Sequence, residues 1–296
     1  MNLEPESMPM PMPEPVVLPS PAEMQAYARR AAAAGRSVGF VPTMGALHKG
    51  HLSLVERARA ENDLVVASVY VNPTQFDNPE DLKKYPRTFD ADKALLAKAG
   101  TDAIFAPGDG AMYDPDARTW VEVGDLPDRL CGLSRPGHFR GVCTVVTKLL
   151  SIVRPDRAYF GLKDYQQFRI VEVLARDLNL GCAIVPCPIV REDDGLACSS
   201  RNVRLAPAHR REAVWLNNVL RHAEARILKD GERDALKLAG ELYELLERNT
   251  SAEIDYLAIV DALHFADLRK IEGEVLIAAA ANFGKVRLID NTRLSV

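Results

Sequence analysis

Long hydrophobic runs are missing from this 296-residue chain: none approaches the roughly 20 apolar residues that a membrane-spanning helix needs. A strong excess of either charge is missing too. With 37 Lys and Arg against 41 Asp and Glu, the net charge of −4 argues against a broad nucleic-acid surface and leaves room only for a local basic cleft. Cysteine is scarce and unpatterned. Cys131, Cys143, Cys182, Cys187 and Cys198 are odd in number and never fall in CxxC spacing. That disfavours a disulfide framework or a zinc knuckle and makes a reducing, cytoplasmic setting the simple expectation. The stretch from Met1 to Pro15 is rich in Pro, Met and Glu but has neither the basic start nor the apolar core of a signal peptide, so residues 1–18 read as a disordered tail. What the chain does have is an ordinary apolar share, 47% of its residues, over a length that suits two packed domains.

The chain is organised around Gly39 to Leu52, GFVPTMGALHKGHL. This reads as a buried strand over Ser37 to Val41, a glycine-bearing turn, and a helix opening near His51. A strand that feeds a helix N-terminus offers unpaired N–H groups and a favourable dipole to an anion. Gly45 and Gly50 allow close approach of backbone to ligand. His48 and His51 share a face if both lie in the first helical turn, and two imidazoles there suit a triphosphate.

Helices are expected at Pro21 to Ala34 (capped by Ser20, ended by Gly35), to about Asn62, Phe89 to Ala99, Cys143 to Val153 and Tyr165 to Leu178. Core strands are expected at Leu64 to Val71, Ala103 to Ala106, Arg157 to Phe160 and Ala183 to Pro188. The run LVVASVYV is nearly all apolar, as a strand covered on both faces of a parallel sheet requires. Strand, helix and strand within about thirty residues make a right-handed βαβ unit. Beyond Pro207, long amphipathic helices at Ala208 to Leu228 and Asp234 to Asn249 precede short strands near Tyr256 to Val260 and Val275 to Ala280. The fold class is therefore α/β: a Rossmann-like, doubly wound parallel sheet over 19–190 with a smaller α+β domain over 191–296.

Taken singly, the polar motifs admit plain readings. His48 and His51 could be a capping pair, GLKD a surface turn, and Ser199-Ser200 a helix cap. Asp90 and Asp92 tempt a metal reading but fit an exposed first helical turn better. His138 and Arg140 either orient phosphates or cap the following helix. Tyr159, Phe160 and Tyr165 fit core and cleft wall. The joint occurrence carries the argument, because the motifs fall just after predicted strands, where one sheet edge gathers them. The proline-broken segment from Asn72 to Asp81 is a candidate flap at that edge.

PTMGALHKGH, VNPTQF, YPRT, GHFRGV, FGLKDYQQ and SSRN occur in this order. Together they resemble the motif set of the pantoate–β-alanine ligases, members of the nucleotidyltransferase superfamily with an HxGH signature. The resemblance spans Pro42 to Asn202 and departs at Cys198, where methionine is usual; a packing role there predicts tolerance. It implies ATP-dependent joining of pantoate to β-alanine through pantoyl adenylate, with Mg²⁺ held mainly by phosphates, no nucleic acid or membrane partner, and a homodimer formed through the first domain. By residue-wise transfer the ATP site comprises Met44, Gly45, Ala46, Leu47, His48, Lys49, Gly50, His51, Gly161, Leu162, Lys163, Asp164, Val190, Cys198, Ser199, Ser200 and Arg201. His51, His48, Lys163, Ser199, Ser200 and Arg201 are the catalytic candidates. Gln75, Gln167 and Asn72 are the candidates for pantoate and β-alanine. A nucleotidyl transferase that stops at the nucleotide-linked product would need more cations in its acceptor pocket than Asn72, Thr74 and Gln75 supply. A nucleotide sensor or tRNA-interaction module fits the acidic balance poorly.

Overall fold

The computed structural model describes residues 14–296. The first strand is β1 (Val16–Leu18), followed by α1 (Pro21–Ala33), β2 (Val38–Thr43), α2 (Lys49–Glu61) and β3 (Leu64–Val69). Next come α3 (Pro79–Lys84), α4 (Phe89–Lys98), β4 (Ala103–Phe105) and the single-turn helices α5 (Asp109–Met112) and α6 (Cys131–Ser134). Then follow α7 (His138–Val153), β5 (Arg157–Gly161), α8 (Tyr165–Asp177) and β6 (Ala183–Cys187). The chain finishes with α9 (Pro207–Glu212), α10 (Trp215–Leu228), α11 (Ala235–Asn249), β7 (Glu253–Asp261), β8 (Glu274–Phe283) and β9 (Val286–Ser295).

Six strands form one parallel sheet in the order β1-β4-β3-β2-β5-β6. From β2 the chain winds outward through β3 and β4, then returns to lay β5 on the other side of β2. That reversal opens a crevice beyond the carboxyl ends of β2 and β5, where doubly wound sheets take their ligands. Helices cover both faces: α1, α7 and α8 pack against one, α2 and α4 against the other. Val65, Val66 and Ala67 of β3 are wholly buried, which explains the nearly continuous apolar run in that strand.

The second sheet is the antiparallel meander β7-β8-β9. Its β8 is apolar on both faces for a reason. Leu276 and Ala278 join the core of the large sheet, while Val275, Ile277 and Ala279 pack on α10 and α11. The small sheet is therefore clamped between its own helices and the first unit. Truncating a buried side chain such as Leu276 to alanine would cost about 2–5 kcal/mol.

Several boundaries differ from expectation. Residues 16–18, expected within the tail, form β1, which pairs with β4 and buries Leu18; the tail's residues 1–13 lie outside the described residues. α7 begins at His138, five positions before Cys143, because Gly137 enters the left-handed region at φ 78° and starts the helix there. The helix expected over Ala208 to Leu228 is interrupted at Ala213 and Val214. Part of the expected flap is the short helix α3, capped by Asn78 with Pro79 at its first position. β9 was hidden by its polar centre, where Asp290 and Asn291 are both buried.

Candidate active site

Two adjoining cavities, of about 640 Å³ and about 240 Å³, fill the crevice and share His138, Lys163, Asp164, Gln167, Ser199 and Arg201 on their walls. The volumes suit a nucleotide with a small acid beside it. The smaller cavity is also lined by Met44, His48, Gly50, His51, Asn72 and Gln75. Gly161, Val190, Cys198 and Ser200 complete its wall. The crevice thus gathers side chains from 44 to 201 in one place. Gly45, Ala46, Leu47, Lys49 and Leu162, expected at the ATP site, do not line either cavity.

The glycine turn is held differently from what its sequence suggests. Asp92 is not an exposed residue of a first helical turn; it is 2% exposed, and its carboxylate accepts from the N–H groups of Ala46 (2.9 Å) and Leu47 (2.8 Å) and from the Thr88 hydroxyl (3.0 Å). These bonds hold Ala46 at φ 51° and Gly45 at φ 80°, backbone conformations that cost strain or require glycine. A Cβ on Gly45 would stand 2.9 Å from the Asp92 oxygen. Donors expected to meet phosphate are therefore satisfied inside the protein. Asp90, by contrast, is not buried.

His48 and His51 form a reciprocal cap on α2. His48 Nδ1 accepts from the Gly50 N–H (3.1 Å), and His51 Nδ1 accepts from the His48 N–H (3.4 Å). The capping reading and the functional one are both satisfied by a single arrangement. An imidazole whose Nδ1 accepts carries its proton on Nε2, so the backbone selects the tautomer of each ring and leaves an Nε2–H donor free. The rings lie 4.0 Å apart, centroid to centroid. Burial drives His51 down to about 3, with His48 and Lys163 opposing its charge, and burial with Lys163 brings His48 to about 4. Both are neutral donors near pH 7 in the free protein.

Lys163 stands on the turn between β5 and α8. Its ammonium makes no hydrogen bond or ion pair among the described residues, which leaves its charge available to a ligand. Asp164 beside it is in the crowded crevice: burial favours the neutral acid, yet Lys163, Arg201, His138 and Arg135 together hold the carboxyl below its usual range. Ser199 Oγ accepts from the Arg201 N–H at 3.2 Å, so the serine-arginine loop is closed on itself. Arg201 reaches the Asp81 carboxylate at 3.3 Å, and Arg204 reaches its other oxygen at 2.9 Å. Both pairs are partly exposed and worth under about 1 kcal/mol each, weak enough to yield to a triphosphate. Cys198 is buried and its thiol is raised by that burial, which fits packing against Gly50 rather than chemistry.

Asn72 is a bracket for the acid end of the crevice. Its Oδ1 accepts from Thr74 (3.0 Å) and Tyr113 (2.9 Å), and its Nδ2 donates to Gln75 Oε1 (3.0 Å) and to the Gly141 carbonyl (3.3 Å). With its capacity filled in this way, Asn72 orients Gln75. Gly141 is needed for that contact, because a Cβ there would lie 2.3 Å from the Thr74 carbonyl oxygen. Gln166 is likewise fully bonded, accepting from the Cys131 N–H and donating to the carbonyls of Leu126 and Arg129. Gln167 is turned to the cavities.

Sequence reasoning missed Arg135 and left His138 open. Burial, with Arg135 beside it, lowers His138 to about 4. The neutral ring donates from Nδ1 to the Gln75 carbonyl (2.7 Å) and accepts from Arg135 at Nε2 (3.0 Å), while Arg135 pairs with Asp77 (3.1 Å). Arg140 points away, over the Trp120 ring, and is not part of the site.

The sequence matches the family described as pantoate–beta-alanine ligase over residues 16–293. It is 53% identical over 272 residues to the pantothenate synthetase of Thermotoga neapolitana, covering 92% of this chain and 97% of that one. The structure is similar to that of pantothenate synthetase from Thermus thermophilus, with a TM-score of 0.89 and 44% identity, covering 95% and 100% of the two chains. It is also similar to pantoate–beta-alanine ligase from Francisella tularensis, solved in complex with beta-gamma ATP and beta-alanine, with a TM-score of 0.77 and 33% identity over 94% and 97% of the chains.

Proposed function

The chain belongs to the pantoate–β-alanine ligase family, and from that premise we propose how its crevice carries the family's reaction. The activity is ATP-dependent condensation of pantoate with β-alanine to give pantothenate. Pantoate's carboxylate attacks the α-phosphorus of ATP; an O–P bond forms, the bond to the β-phosphate bridging oxygen breaks, and pyrophosphate leaves. The amine of β-alanine then attacks the acyl carbon of pantoyl adenylate and AMP leaves. The nucleophile comes with the substrate, so positioning and charge neutralisation are the protein's work. That work falls to the Nε2–H donors of His48 and His51, the Lys163 ammonium, the Ser199 and Ser200 hydroxyls and the Arg201 guanidinium. Asp164 suits a ribose hydroxyl.

The observation that carries this reading is the convergence of these groups on one crevice beyond β2 and β5. Pantoate fits the smaller cavity: Val142, Val146 and Leu149 offer an apolar wall to its two methyl groups, and Gln75 and Gln167 offer amides to its polar end. Tyr70 adds a buried hydroxyl with no hydrogen-bond partner among the described residues. Burial, with Asp109 adding to it, raises that hydroxyl far above its ordinary range, so it is a donor for a substrate hydroxyl. Neutral amides bind the acid without an ion pair that would blunt its carboxylate.

Mg²⁺ enters this proposal with ATP, where it neutralises triphosphate charge. The described residues contain no group of three His, Cys, Asp or Glu able to hold a metal, and Asp92 is committed to backbone, so phosphates and water would supply most of its ligands. Closure of 191–296 over ATP, a cytoplasmic setting and a homodimer through the first unit belong to the same proposal. A light-scattering mass near twice 32.6 kDa supports the dimer, and a single-chain mass rejects it.

Pyrophosphate–ATP exchange with a panel of carboxylic acids tests the chemistry. Exchange that depends on pantoate is expected. ATP binding with no exchange for any acid would reduce the protein to a nucleotide sensor.

A further inference from the structure

We infer that Asn291 is a positioning residue for the reaction, and that through it the small sheet fixes where the Lys163 ammonium stands. This rests on the assignment of Lys163 to the triphosphate. Asn291 lies on β9 directly opposite Ala278 of β8, on the face that packs against the large sheet's core. It is buried, and its Nδ2 donates to the carbonyl oxygens of Leu162 (3.0 Å) and Lys163 (2.9 Å). One amide thus places both donors on the two carbonyls of the turn that presents Lys163. The Lys163 side chain has no partner of its own among the described residues. Its backbone therefore sets its direction, and Asn291 is the group from the small sheet that grips that backbone.

The preceding residue works on the other half of the site. Asp290 lies opposite Ala279, on the face packed against α10 and α11. Its carboxylate accepts from both terminal nitrogens of Arg191, at 2.6 Å and 3.0 Å, and from the Asn291 N–H at 2.8 Å. Arg191 also donates to the Gly195 carbonyl at 3.1 Å and pairs with Ala197 across a β-bridge. That hairpin runs directly into Cys198-Ser199-Ser200-Arg201. Neighbouring strand residues face opposite sides of their sheet. Asp290 and Asn291 use this alternation to tie one strand to both cation-bearing segments, Lys163 on one side and Arg201 on the other. The small sheet then acts as a spacer that keeps the two at a distance suited to one triphosphate.

The test uses the full-length enzyme and pantoate-dependent pyrophosphate–ATP exchange on Asn291→Ala, Lys163→Ala and the double variant. Asn291→Ala is expected to lower kcat by about tenfold to a hundredfold, with the KM for ATP within about threefold, as loss of alignment rather than of ground-state binding requires. The double variant is expected to be no worse than Lys163→Ala alone, because both changes remove one contribution. Asn291→Asp keeps the shape but places a carboxylate against two carbonyl oxygens, and should lose at least as much; it serves if the alanine variant folds poorly. Normal kcat in a folded Asn291→Ala overturns the inference, and so do losses that multiply in the double variant, since Asn291 would then act elsewhere. Near-normal exchange in Lys163→Ala is a separate outcome: it overturns the assignment of Lys163 itself and takes the inference with it.

Discussion

Lys163→Ala lowers kcat/KM for the pantoate-dependent reaction by at least about a hundredfold, the scale of losing one preorganised group that stabilises charge in the transition state. The expectation follows from where the ammonium stands. It lines both cavities and makes no ion pair or hydrogen bond among the described residues, so little within the protein competes with a phosphate for it. It shares the wall of the smaller cavity with both imidazoles and disfavours their protonation. Charge moving from the α-phosphorus onto departing pyrophosphate would be met by this group and by Arg201, which lines the same two cavities. Lys163→Arg keeps the charge but changes its shape and reach, and is expected to recover only part of the loss. Steady-state kinetics with saturating pantoate reads both variants. Turnover close to wild type in Lys163→Ala removes the residue from the mechanism.

The second large effect concerns His51. Replacing it with alanine deletes an N–H donor and opens the cap that orders the start of α2, and a loss of at least about a hundredfold is expected. His51→Gln, which can still donate a hydrogen bond, should retain more activity than His51→Ala. The sign of the pH dependence separates a donor from a proton source. In the free protein burial holds His51 at about 3 and His48 at about 4, so both are already neutral well below pH 6. As neutral Nε2–H donors they contribute no limb to kcat/KM between about pH 6 and 8, because that parameter reports ionisations of the free enzyme and substrate. A general acid would behave otherwise, its contribution falling as pH rises through its pKa. Loss of a descending limb near neutrality on His51→Gln would make His51 the proton source.

Much of this was legible in the residues because several signals agreed. The nearly all-apolar LVVASV reads as a doubly covered strand, and Ser20-Pro21 fixed the start of α1. The carboxyl ends of the strands collected His51, Lys163 and Ser199, as a doubly wound topology dictates. The rest required packing. Asp92 looked like a solvated helix-start acid, since nothing in FDADK says that its carboxylate bends back to the N–H groups of Ala46 and Leu47. Those donors looked free for phosphate for the same reason. Arg135 lay in a loop broken by proline and glycine, with no periodicity to orient it. Asp290 and Asn291 interrupted an apolar alternation and so concealed β9; their partners, Arg191 and the Leu162 and Lys163 carbonyls, are roughly 100 residues or more away in sequence. Buried polar residues in a strand declare themselves only when the groups that satisfy them are known.

The central claim is that one triphosphate is held between the α2 histidines, Lys163 and the serine-arginine loop. A crystal structure of this protein with a non-hydrolysable ATP analogue and pantoate measures it directly. The account predicts phosphate oxygens within hydrogen-bond reach of His51 Nε2, Lys163 Nζ and Arg201, with the Asp81 contact to Arg201 released and the pantoate carboxylate facing the α-phosphorus. A triphosphate seated away from these groups, with Asp81 still on Arg201, would contradict it.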